Sequence, residues 1–268
     1  MGVKGSGDWL SYFSYEAREP IDPTCGGRRP DPEVDVSTSM IDAKRMAARA
    51  ALGEIGDGRI IGLGSGSTAQ LFVEELGARV RDGLRIVGVP TSESTRVHAA
   101  SLAIPLLADD GPWSIDATVD GADEVSAELD LIKGGGGAHA REKIVNYASA
   151  RNIVIVDATK MSTRLGERRA VPVEVLPFAH VTTSGHLARF GQPIFRLSSG
   201  KPFRTDAGNF IYDLKTGPID DAFELDRALH SIPGVVEAGL FIGRADVVLV
   251  ADAGGVRRLE RKRLPRGS

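Results

Sequence analysis

The chain has 268 residues, 42% of them hydrophobic, and a formal net charge of −3. That length carries one large domain or two modest ones with a sizeable core. The lack of a basic excess speaks against a nucleic-acid partner, no apolar run approaches the ~18 residues of a membrane span, and the single cysteine, Cys25, excludes an intrachain disulfide. With Asp8, Glu16 and Glu19 in place of a basic-then-apolar leader, the default expectation is a cytoplasmic protein.

Residues 1–37 carry Pro20, Pro23, Pro30 and Pro32 with no sustained period, and read as a disordered extension. An aromatic patch, Trp9, Tyr12, Phe13 and Tyr15, sits inside it. Ser39 followed by Asp42 resembles a capped helix start, with the helix running to about Ile55. Arg59 to Leu63 predicts a short buried strand. A glycine-rich turn follows, then a helix with Phe72, Val73, Leu76 and Val80 on one face. Leu84 to Val89 predicts a second strand, Thr91-Ser92-Glu93-Ser94 opens another helix, and the alternation of Ile115, Ala117 and Val119 predicts a third strand. After a second glycine-rich loop, a helix is predicted from about Ala140 to Ala150. Ile153-Val154-Ile155-Val156 then has the continuous apolar character of a parallel strand covered on both faces. Repeated strand–helix units predict an α/β fold with a Rossmann-like parallel sheet over 38–167.

From about Arg168 prolines punctuate shorter elements, and a smaller α+β domain is predicted over 168–243. Val171 to Val175 reads as a strand near an edge because of Pro172. Asp220 to His230 is a predicted helix. Ala245 to Val250 is strongly β-like and is expected to rejoin the first sheet, giving that domain a second segment over 244–258. The basic stretch Arg257 to Arg266 reads as a solvated tail, with residues 259–268 outside both domains.

The polar and glycine-rich clusters all follow apolar strands. In open parallel sheets ligands bind at the carboxyl ends of the strands, so these clusters are expected to converge on one rim. Gly64-Ser65-Gly66-Ser67-Thr68 lies between a strand and a helix start, where free N–H groups suit a phosphate. It also fits a loose dinucleotide pattern through Ala69, but Val87-Gly88-Val89-Pro90 offers no acidic residue to hold a ribose. Asp120-Gly121-Ala122-Asp123 places two carboxylates in a sharp turn, able to exchange protons with hydroxyls or to hold a cation. Lys133 precedes Gly134-Gly135-Gly136-Gly137, a run that suits backbone wrapped around an anion or oxyanion beside a positive charge. Glu142 opens the next helix within Arg141-Glu142-Lys143. His139 is a weaker acid/base candidate than a packing residue, and the five histidines show no metal-binding spacing.

Taken together, these motifs resemble the ordered set of the A-type ribose-5-phosphate isomerases. Asp157-Ala158-Thr159-Lys160, Thr205-Asp206-Ala207-Gly208-Asn209 and Ile232-Pro233-Gly234-Val235-Val236-Glu237 with Gly239-Leu240-Phe241 extend the likeness from about residue 40 to the last strand. The resemblance implies a Rossmann-like domain with a smaller α+β (ferredoxin-like) one, and a homo-oligomer, dimer or tetramer. It also implies interconversion of ribose 5-phosphate and ribulose 5-phosphate in the pentose phosphate pathway, with no metal or organic cofactor. It makes Glu142 the base that moves a proton between C2 and C1 through an enediol. Catalytic roles extend to Asp120, Asp123 and Lys133, with Lys133 stabilising the enediolate, Asp120 passing hydrogen between the oxygens, and Asp123 assisting ring opening or holding hydroxyls. The implied substrate site comprises Ser65, Gly66, Ser67, Thr68, Asp120, Gly121, Ala122, Asp123, Lys133, Gly134, Gly135, Gly136 and Lys160. Two departures stand out: Ala207 replaces the usual asparagine, and His139-Ala140 replaces a bulkier apolar residue. The competing readings are a non-enzymatic sugar-phosphate sensor, a nicotinamide-dependent oxidoreductase, and a sugar-phosphate deaminase or acyl-CoA transferase.

Overall fold

The computed structural model describes residues 36–261, with side chains from Met40 onward. Cys25, the aromatic patch and most of the expected N-terminal extension lie outside the described residues. So do residues 262–268 of the expected tail.

The described residues open with α1 (Val36–Leu52), β1 (Arg59–Leu63), α2 (Ser67–Arg81), β2 (Ile86–Pro90), α3 (Glu93–Ser101) and β3 (Ala117–Asp120). The short strands β4 (Glu124–Val125) and β5 (Leu131–Ile132) lead to α4 (His139–Tyr147) and β6 (Asn152–Asp157). β7 (Val171–Val175), α5 (His180–Leu187), β8 (Gln192–Phe195), β9 (Leu197–Ser198), β10 (Lys201–Pro202), β11 (Phe210–Lys215), α6 (Ala222–His230) and β12 (Val235–Ala238) follow. β13 (Leu240–Phe241), β14 (Val247–Asp252) and β15 (Gly255–Glu260) complete the described chain.

A six-stranded sheet runs in the order β15-β14-β6-β3-β1-β2, parallel except for β15. Successive side chains of a strand face opposite sides, and β6 shows why its sequence is apolar throughout. Ile153 and Ile155 pack against Ala43, Ala47, Ala48 and Ala51 of α1 and Phe72 and Leu76 of α2. Val154 and Val156 pack the other way, against Val125, Leu131 and Phe241. That second face is covered in part by the three-stranded antiparallel sheet β13-β5-β4. Each large aliphatic side chain buried in these layers contributes about 1.5–3 kcal/mol. No helix among the described residues is long and apolar enough to cross a membrane.

The second sheet, β12-β7-β11-β8, is antiparallel. With α5 and α6 it forms a β-α-β-β-α-β unit of ferredoxin-like order. Val171, Val173, Val175, Tyr212, Leu214 and Leu229 fill its core.

Three sequence expectations are corrected. β7 is an interior strand, not an edge. It tolerates Pro172 because the proline's missing N–H falls opposite Gly239, whose N–H donates to the Pro172 carbonyl at 2.7 Å and whose own carbonyl is taken by the Lys133 N–H at 2.9 Å. Gly239 has no Cβ to meet the proline ring, from which a built one would lie 2.8 Å away. Second, α1 begins at Val36, so residues 36 and 37 are helical and Ser39 lies inside the first turns; Asp35, a favoured N-cap residue type, precedes it in sequence. Third, the basic stretch read as a solvated tail is, up to Glu260, the edge strand β15. Its arginines decorate that edge and find acids: Arg258 Nε lies 3.1 Å from Glu54 Oε1.

Candidate active site

Four strand ends converge on one cleft. Ser65, Gly66, Ser67 and Thr68 after β1 line it, with Gly121, Ala122 and Asp123 after β3, Lys133 to Gly136 after β5, Glu142 of α4, Lys160 after β6, and Lys44 of α1. The approach of β1 to β3 is possible only with glycine at position 64, where an added Cβ would lie 2.2 Å from Asp120 Oδ1. Gly66 offers α2 no side-chain cap. The first-turn N–H groups of α2, which have no intrahelical acceptors, therefore border the cleft.

Lys133 lies at the centre. Its Nζ donates to the Gly121 carbonyl at 2.6 Å and lies 2.9 Å from Asp120 Oδ2 and 3.2 Å from Glu142 Oε2. The same Nζ sits 5.6 Å above the Phe241 ring. All three charged residues are almost wholly buried: 5% exposed for Asp120, Lys133 and Glu142 alike. Asp120 is the better satisfied carboxylate, since Oδ1 also accepts from the N–H groups of Ser65 (3.1 Å) and Gly121 (2.7 Å). Glu142 Oε2 is buried and, beyond the Lys133 ion pair, has no aligned hydrogen bond among the described residues.

Burial pushes the Glu142 carboxyl up to about 8, helped by the Asp120 and Asp123 carboxylates and opposed by the Lys133 ammonium. Burial also raises Asp120, against the pull of Lys133 and the two backbone N–H groups. Burial works against the Lys133 ammonium, yet Asp120 and Glu142 hold it above its ordinary range. One ammonium balances one carboxylate. Asp120, with three donors, keeps its charge more readily, so Glu142 is the carboxyl that exchanges a proton near neutral pH.

Asp123 Oδ2 accepts the Gly135 N–H at 2.7 Å. Ser65 Oγ joins a hydroxyl cluster with Thr91 (2.7 Å) and Ser92 (2.9 Å). Asp120, expected to touch substrate, stands behind Gly121 and Lys133 and is not among the lining residues. His139 is fully buried and also away from the lining, with Nε2 3.3 Å from the Glu237 carbonyl and burial pushing the imidazole down to about 4. Lys44 escaped the sequence reading: its Nζ reaches Ser67 Oγ at 3.0 Å, a contact between α1 and the start of α2 that no local motif announces.

The family model of ribose 5-phosphate isomerase A (phosphoriboisomerase A) matches residues 87–255. The chain belongs to the ribose-5-phosphate isomerase A family. It is 51% identical over 227 residues to the ribose-5-phosphate isomerase A of Nitrobacter hamburgensis, covering 82% of this chain and 97% of that one. Among solved structures, ribose 5-phosphate isomerase A of Methanocaldococcus jannaschii matches with a TM-score of 0.78 at 43% identity, covering 82% of this chain and 98% of its own. A D-ribose-5-phosphate isomerase in complex with phospho-erythronic acid matches with a TM-score of 0.80 at 41% identity, over 82% and 98% of the two chains. The chain thus spans nearly the whole length of these relatives.

Proposed function

We propose that this protein interconverts ribose 5-phosphate and ribulose 5-phosphate with Glu142 as the base. The observation that carries the reading is the buried Glu142 Oε2, beside the Lys133 ammonium at 3.2 Å, on a cleft bordered by the start of α2. Glu142 takes the proton from C2 of the aldose and returns it to C1, by way of an enediol. A carboxyl raised by burial matches this task, because an efficient base titrates near the working pH. Lys133 places its charge against the oxyanion that develops in the enediolate. Lys133, held charged, donates to O1 and O2 as the hydrogen moves between them, with Asp120 behind it as counter-ion. Asp123 and the backbone around Gly135 hold sugar hydroxyls or assist ring opening.

The phosphate is assigned to the cationic and hydroxyl groups of the lining: Lys44, whose Nζ reaches Ser67 Oγ, with Thr68 and Lys160. The complex of a relative with phospho-erythronic acid, a phosphorylated sugar acid, supports this class of ligand. A purely sensing site has no use for a buried carboxyl with a raised pKa, so the sensor reading is not favoured. Membership in the pentose phosphate pathway, a cytoplasmic location and a homo-oligomer, dimer or tetramer, belong to the same proposal. A coupled assay of ribulose 5-phosphate formation tests it, and a purified chain without that turnover sinks it.

Two further results are expected. Lys44→Ala raises KM for ribose 5-phosphate about tenfold, the scale of one charge-assisted hydrogen bond, with kcat little changed; steady-state kinetics check this. EDTA leaves the rate unchanged, because Asp120 is committed to Lys133 and N–H groups and Asp123 to the Gly135 N–H. Full loss with chelator, restored by a divalent cation, contradicts that assignment.

A further inference from the structure

Arg196 follows β8, in the second sheet and distant in sequence from every motif of the cleft, and its side chain is only 13% exposed. Its Nε donates to Asp213 Oδ2 at 2.9 Å and its Nη2 pairs with Asp213 Oδ1, so β11 grips the fork from one side. The remaining nitrogen, Nη1, donates to the carbonyls of Gly134 at 2.8 Å and Gly135 at 3.2 Å. The Phe203 ring lies against the same guanidinium, 5.7 Å from its carbon, and also fills the space where a Cβ on Gly137 would stand, 2.4 Å away.

A trans peptide carries its C=O and the following N–H in opposite directions. Arg196 draws the Gly134 and Gly135 carbonyls to its own side, so the N–H groups of Gly135 and Gly136 point away from it. The first meets Asp123 Oδ2 at 2.7 Å. The second belongs to a cleft-lining residue and has no acceptor among the described residues. Within the run the Gly137 N–H donates to the Gly134 carbonyl at 2.9 Å, while the Gly135 carbonyl has Arg196 as its only donor among the described residues; four glycines with little intrinsic preference are thus held by one turn bond of their own and by Arg196.

We propose that Arg196 is a positioning residue of the isomerase, a strap from the ferredoxin-like sheet that orients the 134–136 peptides so that the Gly136 N–H faces substrate oxygen and Lys133 keeps its place. Arginine suits the task because one planar fork serves Asp213 and two carbonyls at once, which a lysine ammonium does not.

The kinetic arm rests on the isomerase reading, and the structural arm does not. The full-length chain is compared with Arg196→Ala and Arg196→Lys by amide hydrogen exchange of segment 133–138 and by ribose 5-phosphate kinetics. Arg196→Ala is expected to speed exchange in that segment about tenfold, with the six-stranded sheet unaffected. Its KM is expected to rise about tenfold with a smaller fall in kcat, because the donor it aims binds ground state and transition state alike. Arg196→Lys remains impaired, and added guanidinium ion partly restores Arg196→Ala. Unchanged exchange in a folded Arg196→Ala chain, or KM and kcat both like wild type, overturns the proposal. If Arg196→Ala does not fold, Asp213→Asn, which keeps the guanidinium and weakens its anchor, decides by the same two readouts. A wild-type chain that does not turn over ribose 5-phosphate refutes the isomerase reading, and the exchange comparison alone then decides the strap.

Discussion

Glu142→Gln is expected to lower kcat for ribose 5-phosphate by about 10³-fold or more, the scale of a well-placed general base. Affinity for the sugar phosphate, read by calorimetric titration, is expected to stay close to wild type, since glutamine keeps the size of the side chain and its contact with Lys133. In the wild type, kcat should rise with pH through the Glu142 value of about 8 and then level, because only the carboxylate accepts the proton. The same group has a signature in stability. Its ordinary value is 4.5 and its folded value about 8, so the native state binds the proton more tightly than the unfolded chain does. The stability this gives is complete below 4.5 and is lost as pH rises through 8. Glutamine does not titrate. The variant should therefore match wild type at low pH and become the more stable of the two above 8. Denaturant unfolding at a series of pH values reads the difference. Near-normal turnover removes Glu142 from its role, and a stability gap that widens toward acid contradicts the raised value.

The parts of the site legible in the sequence were those written as contiguous motifs at strand ends. Asp120-Gly121-Ala122-Asp123 and Lys133 through Gly136 declare themselves because few other uses explain such residues after an apolar run, and the parallel sheet brings those runs to one edge. Contacts made across the fold left no such trace. Lys44 looks like any lysine bordering the alanine face of α1, and only the packing of α1 on α2 carries it to Ser67. Arg196 sits among short, exposed strands whose local pattern says nothing of the glycine run 62 residues earlier. Pro172 misled for a related reason. A proline signals an edge when its neighbours are unknown, but here Gly239 and Lys133 absorb the missing donor. β15 was hidden because its burial is slight and its arginines resemble a tail until Glu54 is placed beside them.

Lys133→Met is the sharpest test of how the three buried charges divide their work. Methionine keeps an unbranched chain of similar length but removes the ammonium from between Asp120 and Glu142 and from over the Phe241 ring. Turnover is expected to fall about 10²- to 10³-fold, the effect of deleting one donor to a developing oxyanion. Stability is expected to fall as well, by about 3–5 kcal/mol at alkaline pH, where ionising both carboxyls leaves them buried without their counter-ion. The pH dependence separates this from ordinary loss of packing. Without Lys133 both folded carboxyl values move further above their ordinary range, so protonation relieves the repulsion. The deficit should shrink toward acid pH and grow toward alkaline pH. Adding Glu142→Gln to Lys133→Met should then recover part of the stability at high pH while activity stays lost, since one of the two unpaired charges is gone and so is the base. Unfolding curves for the two single variants and the double variant measure this. If the deficit of Lys133→Met is the same at all pH values and the second substitution recovers none of it, the ammonium is not what holds the two carboxylates together, and its assignment to the enediolate loses its structural basis.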